Sequence, residues 1–287
     1  MNKGLSPRRP ISLLDGDNQV PLWRCWLHRL RLSDNRNRYA KPQAMNPSEV
    51  PTIVVMKDPD LFAVIWDMDG TLVDTAELHF AAWKALAEEK YLSPFTRANF
   101  KATFGKRNPD IIRQLYGVGF SEREIAEWGD RKEEHYKAAA RQQGVKPLPG
   151  VRPLLQNLKN AGFRQAVGSS APRGNLNLIL KLTNLESFFD TLVSMEDTQR
   201  GKPDPQVFLV AAERLNVSPD RCVVVEDALA GVQAAKAGGM KCIAVDFVGH
   251  HGEPAFTRAG ADLVVGTLEE VSLETICGLF DQEATRE

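Results

Sequence analysis

Two aspartates separated by one residue follow an apolar run in this chain of 287 residues. They are Asp67 and Asp69 of the segment DMDGT, and alternate side chains on an extended backbone lie on the same side. Asp67 can attack phosphorus as a nucleophile, and Asp69 can protonate the departing alkoxide and then deprotonate water. The pair therefore predicts phosphoryl transfer through an aspartyl-phosphate.

Four further residues could bind the phosphate during such a reaction. Gly70 allows close approach of the backbone, and Thr71 follows it in the same segment. Ser169 can donate a hydrogen bond to a phosphoryl oxygen, and Lys202 supplies a fixed positive charge. We expect these four residues to form the phosphate-binding part of the site.

Two carboxylates that face a dianionic phosphate would repel it unless a divalent cation lay between them. We therefore expect Mg²⁺ as the cofactor, because carboxylate and carbonyl oxygens are the ligands that this ion prefers. Asp67, the carbonyl of Asp69 and Asp227 are the expected ligands, and Glu226 supports them.

Each of these residues also has an ordinary structural explanation, since Asp and Ser are favoured at helix caps and turns. Asp67 and Asp69 could end a strand, Glu226 and Asp227 could cap the next helix, and Lys202 could be a solvated turn residue. Their joint occurrence favours a site, because independent turns need not bring together the charges that phosphate chemistry requires.

Short apolar runs alternate with helical patterns, and this alternation predicts an α/β fold with a doubly wound parallel sheet, a Rossmann-like core. The carboxyl ends of such strands meet at one edge of the sheet, where ligands bind. The strands are expected over residues 61–66, 165–168, 191–194, 222–225, 242–245 and 262–265, with helices over 151–161, 175–183, 205–215 and 229–237.

Residues 75–146 interrupt the alternation, because they hold helical patterns and no convincing strand. Asp74 and Glu77 resemble a capping box that opens a helix ending at Glu89, and a second helix is expected over residues 122–143. We therefore predict an all-helical cap that lies over the strand ends.

The predicted domain organisation follows from these patterns. The catalytic core takes residues 61–74 and 147–275, the cap takes 75–146, and a C-terminal tail takes 276–287. Residues 1–60 hold ten Lys or Arg, six Asp or Glu and seven prolines. Such a composition rarely packs, so we expect a basic, disordered N-terminal extension.

The ordered motifs DMDGT, the strand-end Ser169, GKPDP with Lys202 and VVVEDALAG resemble the haloacid dehalogenase superfamily over about residues 61–268. The segment from Asp74 to Glu89 resembles the cap entry of its β-phosphoglucomutase-like branch. The resemblance implies a helical cap at this insertion point and phosphoryl transfer as the activity.

The resemblance implies two activities, which differ in the group that accepts the phosphoryl group. The acceptor is water in a phosphatase and a sugar hydroxyl in a β-phosphoglucomutase. Mutases of this type usually carry a Lys-Asn pair soon after the strand-end serine, whereas this chain reads SSAPRGN over residues 169–175. We therefore favour a phosphatase that acts on a small phosphorylated metabolite, a sugar phosphate. A non-catalytic phosphate-binding protein is disfavoured because Asp67 and Asp69 are both present.

Five further residues are candidates for substrate contact. Arg107 and Lys132 are cap cations that could hold a second phosphate or the non-reacting end of the substrate. His79 of the first cap helix could report the position of the cap or pack within it. Arg173 and Asn175 follow the strand-end serine closely enough to contact substrate.

Composition and charge exclude other classes of protein. Lys and Arg number 36 against 37 Asp and Glu, so no net positive field favours nucleic acid. No apolar run approaches the roughly 18 residues that cross a bilayer. The four cysteines form no CxxC pair or dense disulfide framework, which favours a reducing compartment. We expect a cytoplasmic monomer whose partner is a small phosphorylated metabolite.

Overall fold

The computed structural model describes residues 62–281 apart from Val118, Val248 and His250. The predicted extension over residues 1–60 lies outside the described residues. Within the described part, short apolar runs rich in Val, Ile and Ala form a six-stranded parallel sheet. Its strands are β1 Ala63–Trp66, β2 Arg164–Gly168, β3 Thr191–Val193, β4 Cys222–Glu226, β5 Lys241–Val245 and β6 Leu263–Val265.

The strands lie in the order β3-β2-β1-β4-β5-β6, and the central strand β1 is buried along its whole length. Ile65 of β1 lies opposite Ala166 of β2 on one side and Val224 of β4 on the other. The chain moves outward from β1 to β3, then crosses back to β4 and continues to β6. This reversal between β1 and β4 opens a crevice at their carboxyl ends and confirms the predicted doubly wound α/β fold.

Ten helices accompany the sheet in the described part of the chain. Their bounds are α1 Ala76–Glu89, α2 Arg97–Thr103, α3 Asn108–Tyr116, α4 Glu122–Gln143, α5 Val151–Asn160, α6 Arg173–Thr183, α7 Gln206–Leu215, α8 Leu229–Ala237, α9 Glu253–Ala259 and α10 Leu273–Asp281. One core cluster joins Ile65 and Val224 of the sheet to Phe208 of α7 and Val232 of α8. None of the described helices is both long and apolar enough to cross a membrane.

Helices α1 to α4 lie between β1 and β2 in sequence and share a hydrophobic cluster of their own. Trp83 and Leu86 of α1 pack there with Phe100 of α2, Ile112 of α3 and Ile125 of α4. Ser121 and Glu124 form a capping box that starts α4. A helical layer with its own core can thus pack over the sheet without depending on the sheet's apolar contacts.

The start of α1 differs from the predicted capping box. Asp74 accepts a hydrogen bond from the N–H of Ala76 at 3.3 Å, and Glu77 instead pairs with Arg97 at 2.6 Å. The N-cap residue is Thr75, which makes no side-chain cap because its hydroxyl donates to Asp69. The capping prediction is therefore wrong. Thr75, for which the sequence predicted no role, is the N-cap residue and hydrogen-bonds to Asp69.

Helix α10 crosses residue 276, at which the sequence placed a C-terminal tail. Ile276 is fully buried, and Phe280 lies against Phe62 with ring centroids 4.8 Å apart. These contacts make residues up to 281 part of the core, so the predicted boundary is wrong by several residues.

Candidate active site

Asp67, Lys202 and Glu226 form a buried ion cluster at the crevice between β1 and β4. Asp67 follows β1 directly, and its N–H donates to the carbonyl of Val225 in β4 at 2.9 Å. The ammonium nitrogen of Lys202 lies 2.5 Å from Asp67 Oδ1 and 2.5 Å from Glu226 Oε1. Burial alone would lower the pKa of Lys202, but the two carboxylates outweigh it and raise that pKa. Lys202 is therefore a permanent positive charge beside Asp67.

Glu226 is held in place by the start of α8. Its Oε2 accepts the backbone N–H groups of Asp227 at 2.7 Å and of Ala228 at 2.6 Å. Gly231, in the first turn of that helix, leaves the space that this carboxylate occupies, since a Cβ there would lie 1.8 Å from Glu226 Oε1. With Lys202 on its other oxygen, Glu226 serves to fix charge and geometry.

The carboxylates of Asp67, Glu226 and Asp227 lie close enough to share one cation, because one oxygen from each falls within 4.8 Å of the others. Within the described residues the Asp227 carboxylate has no hydrogen bond or ion pair. Burial, together with the charges of Glu226 and Asp67, raises its pKa well above the ordinary value. Burial likewise raises the pKa of Asp67 to about 7 against the opposing effect of Lys202. The three carboxylates face the single ammonium group of Lys202, so the cluster carries excess negative charge on oxygen atoms. Mg²⁺ prefers such ligands.

Asp69 receives three hydrogen bonds on a single oxygen, Oδ1. The donors are Thr75 Oγ1 at 2.5 Å, His79 Nε2 at 3.2 Å and Tyr136 OH at 3.3 Å. Burial would raise the pKa of Asp69, but His79, Thr75 and Lys132 outweigh it and hold that pKa below the ordinary value. Oδ2 has no protein donor among the described residues, so it is the oxygen available to a substrate.

A chain of polar groups joins Asp69 to the cap. Lys132 Nζ of α4 lies 2.8 Å from His79 Nδ1 of α1, and an ammonium can only donate there. The other ring nitrogen, Nε2, then carries the imidazole proton toward Asp69. The His79 ring also stacks on Tyr136 with centroids 4.2 Å apart. Helices α1 and α4 thus supply two of the three donors that orient the acid–base candidate.

Core and cap enclose a cleft that holds about 570 Å³ of empty space, part of it open to solvent. Ser169 lines the cleft with Asp67 and Asp69, and its Oγ accepts the N–H of Ala171 at 3.1 Å, which leaves its own proton to donate. Thr71 is fully buried, and its hydroxyl has no partner in the described part of the chain. The cap contributes His79, Lys132, Glu133 and Asn108 and an apolar wall of Trp83, Phe100, Phe104 and Ile111.

Arg107 differs from its predicted role at the substrate. Its guanidinium donates to the carbonyl of Thr198 at 3.2 Å and of Arg200 at 2.7 Å, and also to the Thr198 hydroxyl. The side chain crosses Gly201, where a Cβ would meet Arg107 Nε at 2.9 Å. Loop carbonyls of the core thus engage this cation outside the cleft, and Arg107 joins cap to core.

Arg173 and Asn175 are also drawn to protein partners. Arg173 donates to the carbonyl of Leu192 at 2.8 Å and pairs with Asp197. Asn175 Nδ2 donates to Glu133 at 2.5 Å. Neither residue lines the cleft, so the structure gives them structural partners where the sequence predicted substrate contact.

Three residues of the site escaped the sequence analysis: Thr75, Tyr136 and Glu133. Tyr136 lies four residues after Lys132, hence on the same face of α4, and this spacing was a usable signal. Thr75 adjoins DMDGT closely enough to be inspected. Glu133 had no signal, because it is one of six acids in a helix that also holds five Lys or Arg.

Known proteins match the part of this chain that carries the motifs. A family model described as haloacid dehalogenase-like hydrolase matches residues 64–245. The chain is similar to the β-phosphoglucomutase of Bacillus subtilis (strain 168), at 34% identity over 231 residues that cover 78% of this chain and 98% of that protein. It is also similar to the phosphorylated carbohydrates phosphatase of Thermotoga maritima, at 35% identity over 192 residues that cover 63% of this chain and 83% of that protein.

Among solved structures, CbbY from Rhodobacter sphaeroides in complex with xylulose-(1,5)bisphosphate matches with a TM-score of 0.68 and 26% identity, covering 75% of this chain and 99% of that one. The resemblance drawn from the motifs, including the β-phosphoglucomutase-like branch, is confirmed by these matches.

Proposed function

Because the chain belongs to the haloacid dehalogenase-like hydrolases, we propose that it is a Mg²⁺-dependent phosphatase that hydrolyses a sugar or polyol monophosphate. The observation that carries the proposal is the pair of aspartates with separate environments. Asp67 touches Lys202 and the acidic cluster, whereas Asp69 touches donors from the cap. Two carboxylates in different surroundings can take the two different roles that the reaction needs.

In the first step, an oxygen of Asp67 attacks phosphorus, and the bond between phosphorus and the ester oxygen breaks. The leaving oxygen takes a proton from Oδ2 of Asp69, so that a neutral alcohol departs. Lys202 and the Ser169 hydroxyl bind the phosphoryl oxygens as charge develops on them. Mg²⁺, held by Asp67, Asp227 and the Asp69 carbonyl, would offset the charge of the carboxylates and the phosphate.

In the second step, Asp69 acts as a base. The three donors on its Oδ1 favour the ionised form, and Oδ2 takes a proton from a water molecule that attacks phosphorus. The bond between phosphorus and Asp67 breaks, inorganic phosphate leaves, and the Asp67 carboxylate is restored. The lowered pKa of Asp69 suits this step, whereas the first step uses the protonated form of Asp69, which is the minor form in the protein without substrate.

A β-phosphoglucomutase is the second candidate, since the similarity to the Bacillus enzyme covers 98% of that protein. A mutase that works through a bisphosphate must hold a second phosphate in its cap. Arg107, one of the two cap cations predicted for that purpose, is engaged by Thr198 and Arg200 of the core. This engagement favours water over a sugar hydroxyl as the acceptor.

The test is a panel of sugar and polyol monophosphates with Mg²⁺, with and without a sugar bisphosphate activator, scored for both free phosphate and isomerised sugar. We expect release of phosphate without activator and a phosphoprotein visible by mass spectrometry after acid quenching. Asp67→Asn should abolish both signals, while Asp74→Asn, the same change at an exposed position, should keep them. Isomerised sugar that forms only with the activator would establish the mutase instead.

A further inference from the structure

Glu133 is a buried cap carboxylate that the mechanism above does not use, although it lines the reaction cleft. Its Oε1 accepts from Asn108 Nδ2 at 2.7 Å and from Lys132 Nζ at 2.9 Å. Its Oε2 accepts from Asn175 Nδ2 at 2.5 Å. Asn175 belongs to α6 of the core, so Glu133 is also a hydrogen-bonded connection between cap and core.

The charge of Glu133 cancels the buried cap cation of the cleft. Lys132 is 2% exposed, and its ammonium is already engaged by Glu133 and His79. Lys106, which also lines the cleft, donates to Gln114 at 2.7 Å. Burial would raise the pKa of Glu133, but Lys132, His79 and the two amide donors outweigh it and hold that pKa below the ordinary value. The cap side of the cleft therefore offers no buried excess positive charge to an anion.

The remainder of the cap wall is apolar. Trp83, Phe100, Phe104 and Ile111 line the cleft beside Glu133. Such a surface contacts the C–H groups of a carbohydrate. A second phosphate or a carboxylate would find no net positive charge there, because Glu133 already neutralises Lys132, and burying an unpaired anion is costly where water is scarce.

We propose that Glu133 is a specificity-determining residue that restricts the cleft to phosphate esters with an uncharged leaving group. Glu133 excludes esters that carry a second phosphate because its charge cancels that of Lys132, the buried cap cation that could otherwise bind the second phosphate. The inference rests on the proposed phosphatase function and names its substrate class.

Glu133→Gln isolates the charge, because each hydrogen bond of Glu133 can be kept. The glutamine oxygen can accept from Asn108 and Lys132 as Glu133 Oε1 does. The glutamine nitrogen can donate to Asn175 Oδ1, a buried atom with no present partner in the described residues, once the Asn175 amide turns over. Amide oxygen and nitrogen are nearly equal in shape, so this exchange needs little space.

The experiment compares kcat/KM for fructose 6-phosphate and fructose 1,6-bisphosphate, and for glucose 6-phosphate and glucose 1,6-bisphosphate. In the parent, we expect each bisphosphate to be at least tenfold poorer than its monophosphate. In Glu133→Gln, the ratio of kcat/KM for the bisphosphate to kcat/KM for the monophosphate should rise about tenfold. Glu133→Asp, which keeps the charge, should discriminate like the parent, as should Glu134→Gln, whose side chain is 59% exposed.

Parent protein that accepts bisphosphates as well as monophosphates would overturn the inference even if Glu133→Gln failed to fold. A ratio unchanged in folded Glu133→Gln would do the same. Calorimetric binding of each ester pair to Asp67→Asn, and to that variant combined with Glu133→Gln, separates the two proposals. If no ester is hydrolysed by the parent, the phosphatase proposal fails, and the binding ratios still decide whether Glu133 excludes the second phosphate.

Discussion

Replacing Gly231 by alanine should destabilise the protein, although the same change inside a helix ordinarily stabilises. Gly231 lies in the first turn of α8, where alanine is favoured over glycine by about 1 kcal/mol. The new Cβ would lie 1.8 Å from Glu226 Oε1, far inside the 3.0 Å below which real Cβ atoms are essentially never found. The Glu226 carboxylate must then move, and moving it breaks hydrogen bonds, because Lys202 and two backbone N–H groups hold it.

The size of the effect follows from those bonds. A hydrogen bond to a charged group contributes about 1.5–3 kcal/mol, so losing two of the three and gaining the helix preference leaves a net cost of about 2–5 kcal/mol. For a domain of this size, that cost lowers the melting temperature by roughly 4–20 °C. Because Lys202 loses a partner as well, we also expect kcat to fall at least tenfold.

Thermal unfolding and steady-state phosphate release on the same preparations measure both quantities. Gly174→Ala is the matched control, since Gly174 lies in the first turn of α6 and a Cβ there meets nothing within 4 Å. It should keep or slightly raise stability and leave kcat unchanged. If Gly231→Ala proved as stable as Gly174→Ala and fully active, Glu226 would not be the fixed centre of the site.

Three further expectations use other parts of the molecule. Adding Mg²⁺ to metal-free protein should stabilise it by about 2.7 kcal/mol when the Mg²⁺ concentration is one hundred times Kd, and the melting temperature measured by calorimetry should rise accordingly. Asp227→Asn should remove most of that rise. The pKa of Asp197 is depressed, because Arg214 and the Ser194 N–H and hydroxyl outweigh burial. Its contribution is therefore present above the unfolded value of about 3.9 and is lost as the pH falls toward the depressed folded value, so the difference in urea stability between parent and Asp197→Asn should begin to narrow below about pH 4 and shrink further as the pH falls. Arg107→Ala should lower kcat/KM by similar factors for a sugar phosphate and an aryl phosphate, because the side chain joins cap to core; a loss confined to the sugar phosphate would return Arg107 to the substrate.

The sequence alone determined the sheet and the residues at its carboxyl edge. Asp67 and Glu226 are distant in the chain, yet both lie at strand ends that parallel topology requires to meet, so local patterns sufficed to bring them together. The long helix over residues 122–143 was predicted at its observed bounds, because capping and apolar spacing are local properties.

Only the tertiary structure decided which polar side chains of the cap line the cleft. A helical pattern shows which face is apolar, but the partner of a cation is chosen across the gap between cap and core. Arg107 donates to carbonyls of a core loop, whereas Lys132 contacts Glu133 and His79. Tyr136 and Asp69 are 67 residues apart in sequence, so no local pattern predicts the hydrogen bond between them. Burial and neighbouring charges then shift the pKa values of Asp67 and Asp227 upward and that of Asp69 downward, and no sequence pattern shows which neighbours come together.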